Sequence, residues 1–386
     1  MNRTDLLADH DRGGLLLISW LNISLLDREL LARKRGCLMK TGIVDLRSDT
    51  QTLPTQEMIQ AMANAELGDD VCREDPTVRQ LEELAASVVG KEAALFVPSG
   101  TMGNLIAMKV HTNPGEGIIL ERDSHIYYYE AGGLCAICGL TPSLIQGRYG
   151  VIDANDIEKV IRPTNIHFPP TTLLCYENTH NRAGGTVVSV EMIKKIYDTA
   201  KRHSLAVHLD GARIFNAAAS QGVDPKALSA HADSVMFCLS KGLSAPVGSM
   251  LTGTETFIEQ ARHVRKMLGG GMRQAGVLAA AGIVAIIKMR HRLQEDHETA
   301  GLLAKQLSGM PGISIDLASV QTNIVNVSVD TDIVPLDVFT AKLRSLGVLV
   351  SARPPRAVRM VTHRHVTKDD VRKVVDAVYS VMSECN

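Results

Sequence analysis

The chain has 386 residues, with 41 Lys and Arg against 42 Asp and Glu and a formal net charge of −1 at pH 7. That balance excludes a strongly basic nucleic-acid binder and gives no attraction to an anionic membrane surface. The length suffices for a large core and two domains, and seven scattered cysteines, odd in number, point to reduced thiols in the cytoplasm.

Residues 1–43 read as an N-terminal extension. Leu15–Leu26 is apolar but too short to cross a bilayer. Asp5, Asp9 and Asp11 precede it and no small-residue cleavage site is evident, which argues against a signal peptide. Asp27–Lys40 is a charged helical lead-in, and Met39 is an alternative start.

From Val44 the composition becomes that of a folded domain. Val44–Asp49 is an extended entry. Thr55–Ala65 and Thr77–Val89 are helical on either side of the polar loop Gly68–Pro76, and Gly90 caps the second helix. Ala93–Val97 is a strand, Pro98-Ser99-Gly100-Thr101 a turn, and Met102–His111 the helix it opens. Small residues there let backbone N–H groups crowd an anion at the helix start, so Gly100 and Thr101 are candidates for holding a phosphate. The Walker pattern and GxGxxG are both absent, which disfavours a nucleotide fold.

Gly117–Glu121 is the next strand and RDSHIYYYE comes after it, so His125 falls just past a strand end. A neutral imidazole can stack on a heteroaromatic ring and can move protons. Cys135 and Cys138 form a CxxC with no second pair or His cluster, and read as part of an apolar segment. Leu173–Tyr176 is a strand ending in Glu177-Asn178-Thr179-His180, and Val190–Arg202 is a helix.

The organising stretch runs from Ala206 to Gly242. Leu205–Leu209 and Ser234–Leu239 have the length and composition of buried strands, with helical Ala212–Ser220 and Pro225–Ala230 between them. Strand, helix, strand in this order makes a parallel right-handed unit, so Asp210 and Lys241 share the carboxyl edge of one sheet, where open α/β sheets bind ligands. The pattern from Ala93 to Leu251 is an α/β fold with a large doubly wound, mostly parallel sheet. Gly269–Arg273 is a flexible turn. A long helical pattern then runs from Gly276 to about Leu307 and contains the boundary between a large domain, 44–290, and a smaller C-terminal α+β domain, 291–386. In the latter, Thr322–Val329, Val348–Ser351 and Ala357–Val361 are strands, and Pro335–Leu346 and Thr367–Ser383 are helices.

A phosphate cup, a flat imidazole, a strand-end carboxylate and a strand-end amine together describe a site for pyridoxal 5′-phosphate. Asp210 would pair with the protonated ring nitrogen, Lys241 with the aldehyde, and Arg213 with the ring oxygen. No metal is expected.

The motifs DLRSDT, DDVxxEDPT, SGTMGN, HIYYYEAGG, ENTHN, HxDGARIFNA, CLSKGL, APVGS, KMLGGGMRQ and VRMVTH resemble those of the L-threonine aldolase family, from about Val44 to the C-terminus. These are pyridoxal-phosphate enzymes of the aspartate aminotransferase fold, fold type I. The resemblance implies retro-aldol cleavage of β-hydroxy-α-amino acids such as L-threonine and L-allo-threonine to glycine and an aldehyde. It implies Lys241 as the Schiff-base lysine, His125 stacked on the ring, Asp210 on the ring nitrogen, Arg213 on the ring oxygen, and Gly100 and Thr101 on the phosphate. Ser48, Arg213 and Arg359 would bind the substrate carboxylate. Lys266 and Arg273 would reach the phosphate of a neighbouring subunit in a tetramer of two close dimers. Candidate bases are His125, His167 and a water held nearby, with His125 ranked first. Another fold type I lyase, β-eliminating or serine hydroxymethyltransferase-like, is the alternative; a non-catalytic cofactor-binding regulator is disfavoured because about forty leading residues lack a basic recognition helix. The chain departs from the family at Cys72, where a tyrosine is common after GDDV, and this bears on the substrate pocket rather than on the cofactor.

Overall fold

The structure is a computed structural model that describes residues 42–384; the readings of Leu15–Leu26 and Asp27–Lys40 lie outside the described residues. Within the described residues, 44–384 cluster as one compact unit. The chain enters through a two-residue strand β1 (Val44–Asp45). After it come β2 (Ala93–Val97), β3 (Gly117–Glu121), β4 (Thr141–Ile145), β5 (Thr171–Glu177), β6 (Ala206–Asp210), β7 (Ser234–Cys238) and β8 (Ser249–Gly253). These seven form one sheet in the order β2-β8-β7-β6-β5-β3-β4. The pairs β3–β4, β3–β5, β5–β6 and β6–β7 are parallel, and β8 runs antiparallel to both β2 and β7. Six strands therefore point one way, as the sequence predicts.

Alternate residues of a strand face opposite sides of a sheet, and both sides here are buried. In β3, Ile119 belongs to the largest hydrophobic cluster while Ile118 and Leu120 belong to another. In β2, Phe96 divides from Leu95 and Val97 in the same way. Strand β4 was not evident from the sequence. It is an edge strand with Pro142 inside it and only Ile145 buried, so it lacks the apolar run that marks the interior strands.

The C-terminal part holds β9 (Ile313–Ser314), β10 (Ile324–Val329), β11 (Val348–Leu349), β12 (Ser351–Arg353) and β13 (Ala357–Val361). An antiparallel sheet has the order β12-β13-β10-β9, and β1 pairs in parallel with β11. The predicted strand over Val348–Ser351 is thus two short ones serving different sheets. Val44 and Leu46 pack in the same core as Val325, Phe339, Val358 and Val374, so the entry segment folds onto the C-terminal sheet.

The single helix expected over Gly276–Leu307 is broken. It forms Gly276–Lys288 and Leu293–Leu307, joined by a 3₁₀ turn at Met289–Arg292. The break has a tertiary cause. Ile286, Met289 and Leu293 pack in the core of the large sheet, whereas Ala300, Leu303 and Leu307 pack in the C-terminal core. Among the described residues no helix is long and apolar enough to cross a membrane.

Gly90 ends its helix in the left-handed region (φ 68°), as predicted from sequence. The helix Gly100–His111 lies close against β7: a Cβ on Gly103 would stand 2.7 Å from Met236 Cγ. Gly103→Ala is expected to lower stability by about 1–3 kcal/mol in urea denaturation, because Met236 is itself fully enclosed in the core.

Candidate active site

Strands β2, β3, β5, β6 and β7 end on one edge. The segments leaving that edge carry Gly100 and Thr101, His125, Asn178–Asn181, Arg213, and Lys241, with Glu177 and Asp210 as the last residues of β5 and β6. A cavity of about 200 Å³ opens there, lined by Ser48, Thr50, His125, Tyr129, Glu177, Asn181, Ala212, Arg213, Lys241, Arg353 and Arg359. The fold thus gathers Ser48, His125, Arg213, Lys241 and Arg359 from five separate parts of the chain.

Asp210 ends β6 opposite Met236 of the adjacent parallel strand β7, and Lys241 lies three residues beyond the end of β7. Asp210 is only 2% exposed. Its Oδ1 accepts from the Ala212 N–H at 3.1 Å and its Oδ2 from Asn104 Nδ2 at 3.0 Å. Among the described residues neither Asp210 nor Lys241 forms an ion pair. The backbone at Lys241 is tied down: its carbonyl accepts from Thr52 Oγ1 at 2.8 Å and from the Ser244 N–H at 2.8 Å.

These features fit pyridoxal phosphate. A buried carboxylate hydrogen-bonded only to neutral donors suits a protonated ring nitrogen, and an amine without an ion pair just past the neighbouring strand suits an aldehyde. The phosphate end fits as well. Ser99 caps the helix by accepting from the Met102 N–H at 3.2 Å, which leaves the first amides, those of Gly100 and Thr101, as open donors at the helix start. Gly100 is held against β7, where a Cβ would meet Cys238 Sγ at 3.1 Å. Gly100 and Thr101 form the first helical turn rather than the preceding loop.

Arg213 occupies a more constrained place than sequence reasoning gave it. It is buried, and its Nε and Nη2 each donate at 2.7 Å to the two oxygens of Asp49. Asn323 also reaches Asp49, at 3.3 Å. Burial pushes the Asp49 carboxyl up, but Arg213 and, less strongly, Lys241 outweigh it and hold the group well below the usual carboxylate range. Arg359 donates from Nη1 to Asn181 Oδ1 at 2.6 Å and from Nη2 to the Arg47 carbonyl at 3.0 Å, while its buried Nε has no hydrogen-bond partner among the described residues. Burial, with Arg213 and Arg353 nearby, pulls Arg359 down to about 10. A guanidinium so placed is ready for a carboxylate ligand. Ser48 Oγ accepts from the Thr50 N–H at 3.2 Å at the rim of the same cavity.

Other predicted residues stand apart from this cavity. His167 lies on the exposed turn after Val160, with its N–H on Asn165 Oδ1 at 3.0 Å. Lys266 lines a separate hollow of about 220 Å³ with Asp70, Arg73 and Arg265. Arg273 pairs with Asp69 at 2.9 Å. Cys72 is an exposed free thiol in the short 3₁₀ turn Asp70–Cys72. Cys135 is exposed and Cys138 buried, both as free thiols, and burial pushes Cys138 up to about 11.

Several site residues escaped the sequence analysis. Glu177 accepts from the His125 N–H at 2.7 Å and from the Asn181 N–H at 2.9 Å, so one carboxylate braces both the imidazole segment and the residue that holds Arg359. Arg353, half-buried, faces the Tyr129 ring at 5.3 Å. The only available signal was position: Glu177 ends a strand on the edge that carries the other site residues.

Residues 45–330 match the family model described as beta-eliminating lyase. The chain belongs to that family. Within it, the low-specificity L-threonine aldolase 1 of Arabidopsis thaliana is 46% identical over 344 residues, 88% of this lyase and 96% of the relative. The low specificity L-threonine aldolase of Escherichia coli strain K12 is 41% identical over 333 residues, 86% and 97% of the two chains. The solved threonine aldolase of Leishmania major matches the lyase with a TM-score of 0.76 at 19% identity, over 88% of this chain and 99% of that one. That likeness bears on the fold, and the fold is type I, as predicted.

Asp49→Asn would leave the buried Arg213 uncompensated, and a loss of about 3–5 kcal/mol in denaturant unfolding is expected. Because the folded Asp49 titrates below its unfolded value, its stabilisation is full above the unfolded pKa. It is lost as pH falls through the folded one, so wild-type acid unfolding is expected to lose a component that Asp49→Asn lacks.

Proposed function

We propose that this lyase cleaves the Cα–Cβ bond of β-hydroxy-α-amino acids, L-threonine and L-allo-threonine among them, to glycine and an aldehyde. The observation that carries the reading is the placement of Asp210 at the end of β6 and of Lys241 just past the end of the adjacent parallel strand β7, with Lys241 lining a cavity that also holds His125 and Arg359. The names of the relatives support the substrate class.

Pyridoxal phosphate, when bound, supplies an aldehyde for the amino group and a ring that accepts the electron pair released at Cα. Lys241 would hold the aldehyde, Asp210 the ring nitrogen, Gly100 and Thr101 the phosphate, and His125 one face of the ring. Arg213, fixed by Asp49, would stand near the ring oxygen. Arg359 and Ser48 would take the substrate carboxylate, which selects the Cα bond that breaks. His125 receives the β-hydroxyl proton at Nε2, because Nδ1 is already engaged by Glu130 at 2.9 Å. The C–O–H oxygen becomes the aldehyde carbonyl, the Cα–Cβ electrons move toward Cα, and a proton delivered there completes glycine.

The same reading assigns the enzyme to the cytoplasm as a homotetramer with sites shared between subunits. Lys266 and Arg273, outside this chain's own cavity, would then serve a neighbour's phosphate. The five described cysteines are all free thiols, which suits a reducing compartment.

A panel of L-threonine, L-allo-threonine, L-serine and phenylserine tests the reaction. Release of acetaldehyde and glycine from the first two is expected; pyruvate or 2-oxobutyrate in their place would establish β-elimination and overturn the proposal. Lys241→Ala is expected to abolish both turnover and the visible absorption of the cofactor–lysine linkage. Arg359→Lys should raise KM on the order of tenfold with a smaller effect on kcat, measured with saturating cofactor.

A further inference from the structure

Beneath His125, buried side chains form one continuous hydrogen-bonded row. Asn104, fully buried, commits both amide hydrogens to carboxylates: Nδ2 donates to Glu130 Oε1 at 2.8 Å and to Asp210 Oδ2 at 3.0 Å. Its Oδ1 faces His208 Nε2 at 3.0 Å. An amide oxygen only accepts, so the His208 hydrogen is on Nε2, and Nδ1 accepts from Ser234 Oγ at 2.8 Å. Burial pulls His208 down to about 3, so the ring stays neutral in this tautomer. Ser234 Oγ accepts in turn from His111 Nε2 at 2.8 Å. Every hydrogen on this side is assigned, and Asn104 has a single orientation.

On the other side stands Glu130, five residues after His125 and itself buried. Its Oε1 lies 2.9 Å from His125 Nδ1, and its Oε2 has no hydrogen-bond partner among the described residues. Polar atoms of His125, Glu130 and Asp210 all fall within 4.8 Å of one another. His125 Nε2 has no hydrogen bond among the described residues, and His125 lines the cavity.

We propose that Glu130 is a positioning residue of the active site: it holds the Nδ1 hydrogen of His125, and so presents Nε2 to the cavity as the proton acceptor. Asn104 steadies Glu130 and ties it to the carboxylate reserved for the cofactor ring. The role of His125 as base rests on the proposed lyase reaction; the tautomer does not. Burial opposes charge on His125 and Lys241 opposes it too, whereas Glu130, Asp210 and Glu177 favour it; the net effect lies above the usual histidine range. Burial and Asp210 push Glu130 up, against His125 and Asn104. Removing the Glu130 charge without changing its shape therefore makes His125 easier to deprotonate.

Glu130→Gln does this, because Gln keeps an accepting Oε1 for both neighbours. His125 is followed by ¹⁵N NMR in the cofactor-free protein, and the pH dependence of kcat in the loaded enzyme. In the wild type the hydrogen is expected on Nδ1. In Glu130→Gln the His125 titration and the acid limb of kcat both move to lower pH, by the same amount. Glu130→Ala loses the tautomer preference and lowers kcat on the order of 10²-fold. If Glu130→Ala does not fold, Glu130→Gln alone decides. A wild-type His125 with its hydrogen on Nε2, or a titration unmoved in Glu130→Gln, overturns the proposal. A wild type that cleaves no β-hydroxy amino acid removes the lyase reading alone, since the cofactor-free measurement still stands.

Discussion

A buried carboxylate must be met by donors from the protein or from a ligand, and Asp210 is such a group. Two neutral donors, the Ala212 amide and Asn104, meet it from within the chain. Neither cancels its charge. His125 and Glu130 stand within 4.8 Å of it as well, and the rest of the site is built around this carboxylate. Asn104 is spent on it, His208 is held neutral to orient Asn104, and the helix carrying Asn104 begins with the amides of Gly100 and Thr101. In the proposed function one packed helix would thereby serve the ring end and the phosphate end of the same ligand.

The second half of the cavity has its own support. Arg213 is locked on Asp49, which comes from the entry segment and also meets Asn323 near the C-terminal sheet. Arg359 sits on β13 and reaches Asn181 and the Arg47 backbone. In the proposed function the large sheet would supply the cofactor groups, while the entry segment and the C-terminal sheet would supply the carboxylate-binding end. Glu177 joins the halves, because its two oxygens brace the His125 and Asn181 backbones.

Much of this was legible in the sequence, for a definite reason. Apolar runs mark interior strands, and in a parallel sheet the residues just past each run gather on one edge; Asp210, Lys241 and His125 could be placed together on that ground alone. The supporting polar residues were not legible. Asn104 lies on a helix and meets partners 26 and 106 residues away, and Asp49 meets Arg213 across 164 residues. No local periodicity encodes such pairings. Arg213 shows the limit most clearly: its spacing from Asp210 pointed to the ring oxygen of a cofactor, and only the fold reveals that Asp49 already holds two of its nitrogens. The broken helix at Met289–Arg292 has the same origin, since it answers to two cores that the pattern of one segment cannot distinguish.

The antiparallel strand β8 has a consequence for Lys241. Because β8 returns directly beside β7, the lysine rides on a hairpin rather than on a crossover to a distant helix, and both ends of that hairpin are anchored in the sheet. The Leu239 N–H bonds to Gly248 O at 3.0 Å and the Ala245 N–H to Leu239 O at 3.0 Å. With the main chain clamped, the travel left to the amine is rotation about its own methylene bonds. In the role proposed for it, the lysine would hand a ligand over and take it back like an arm on a fixed shoulder.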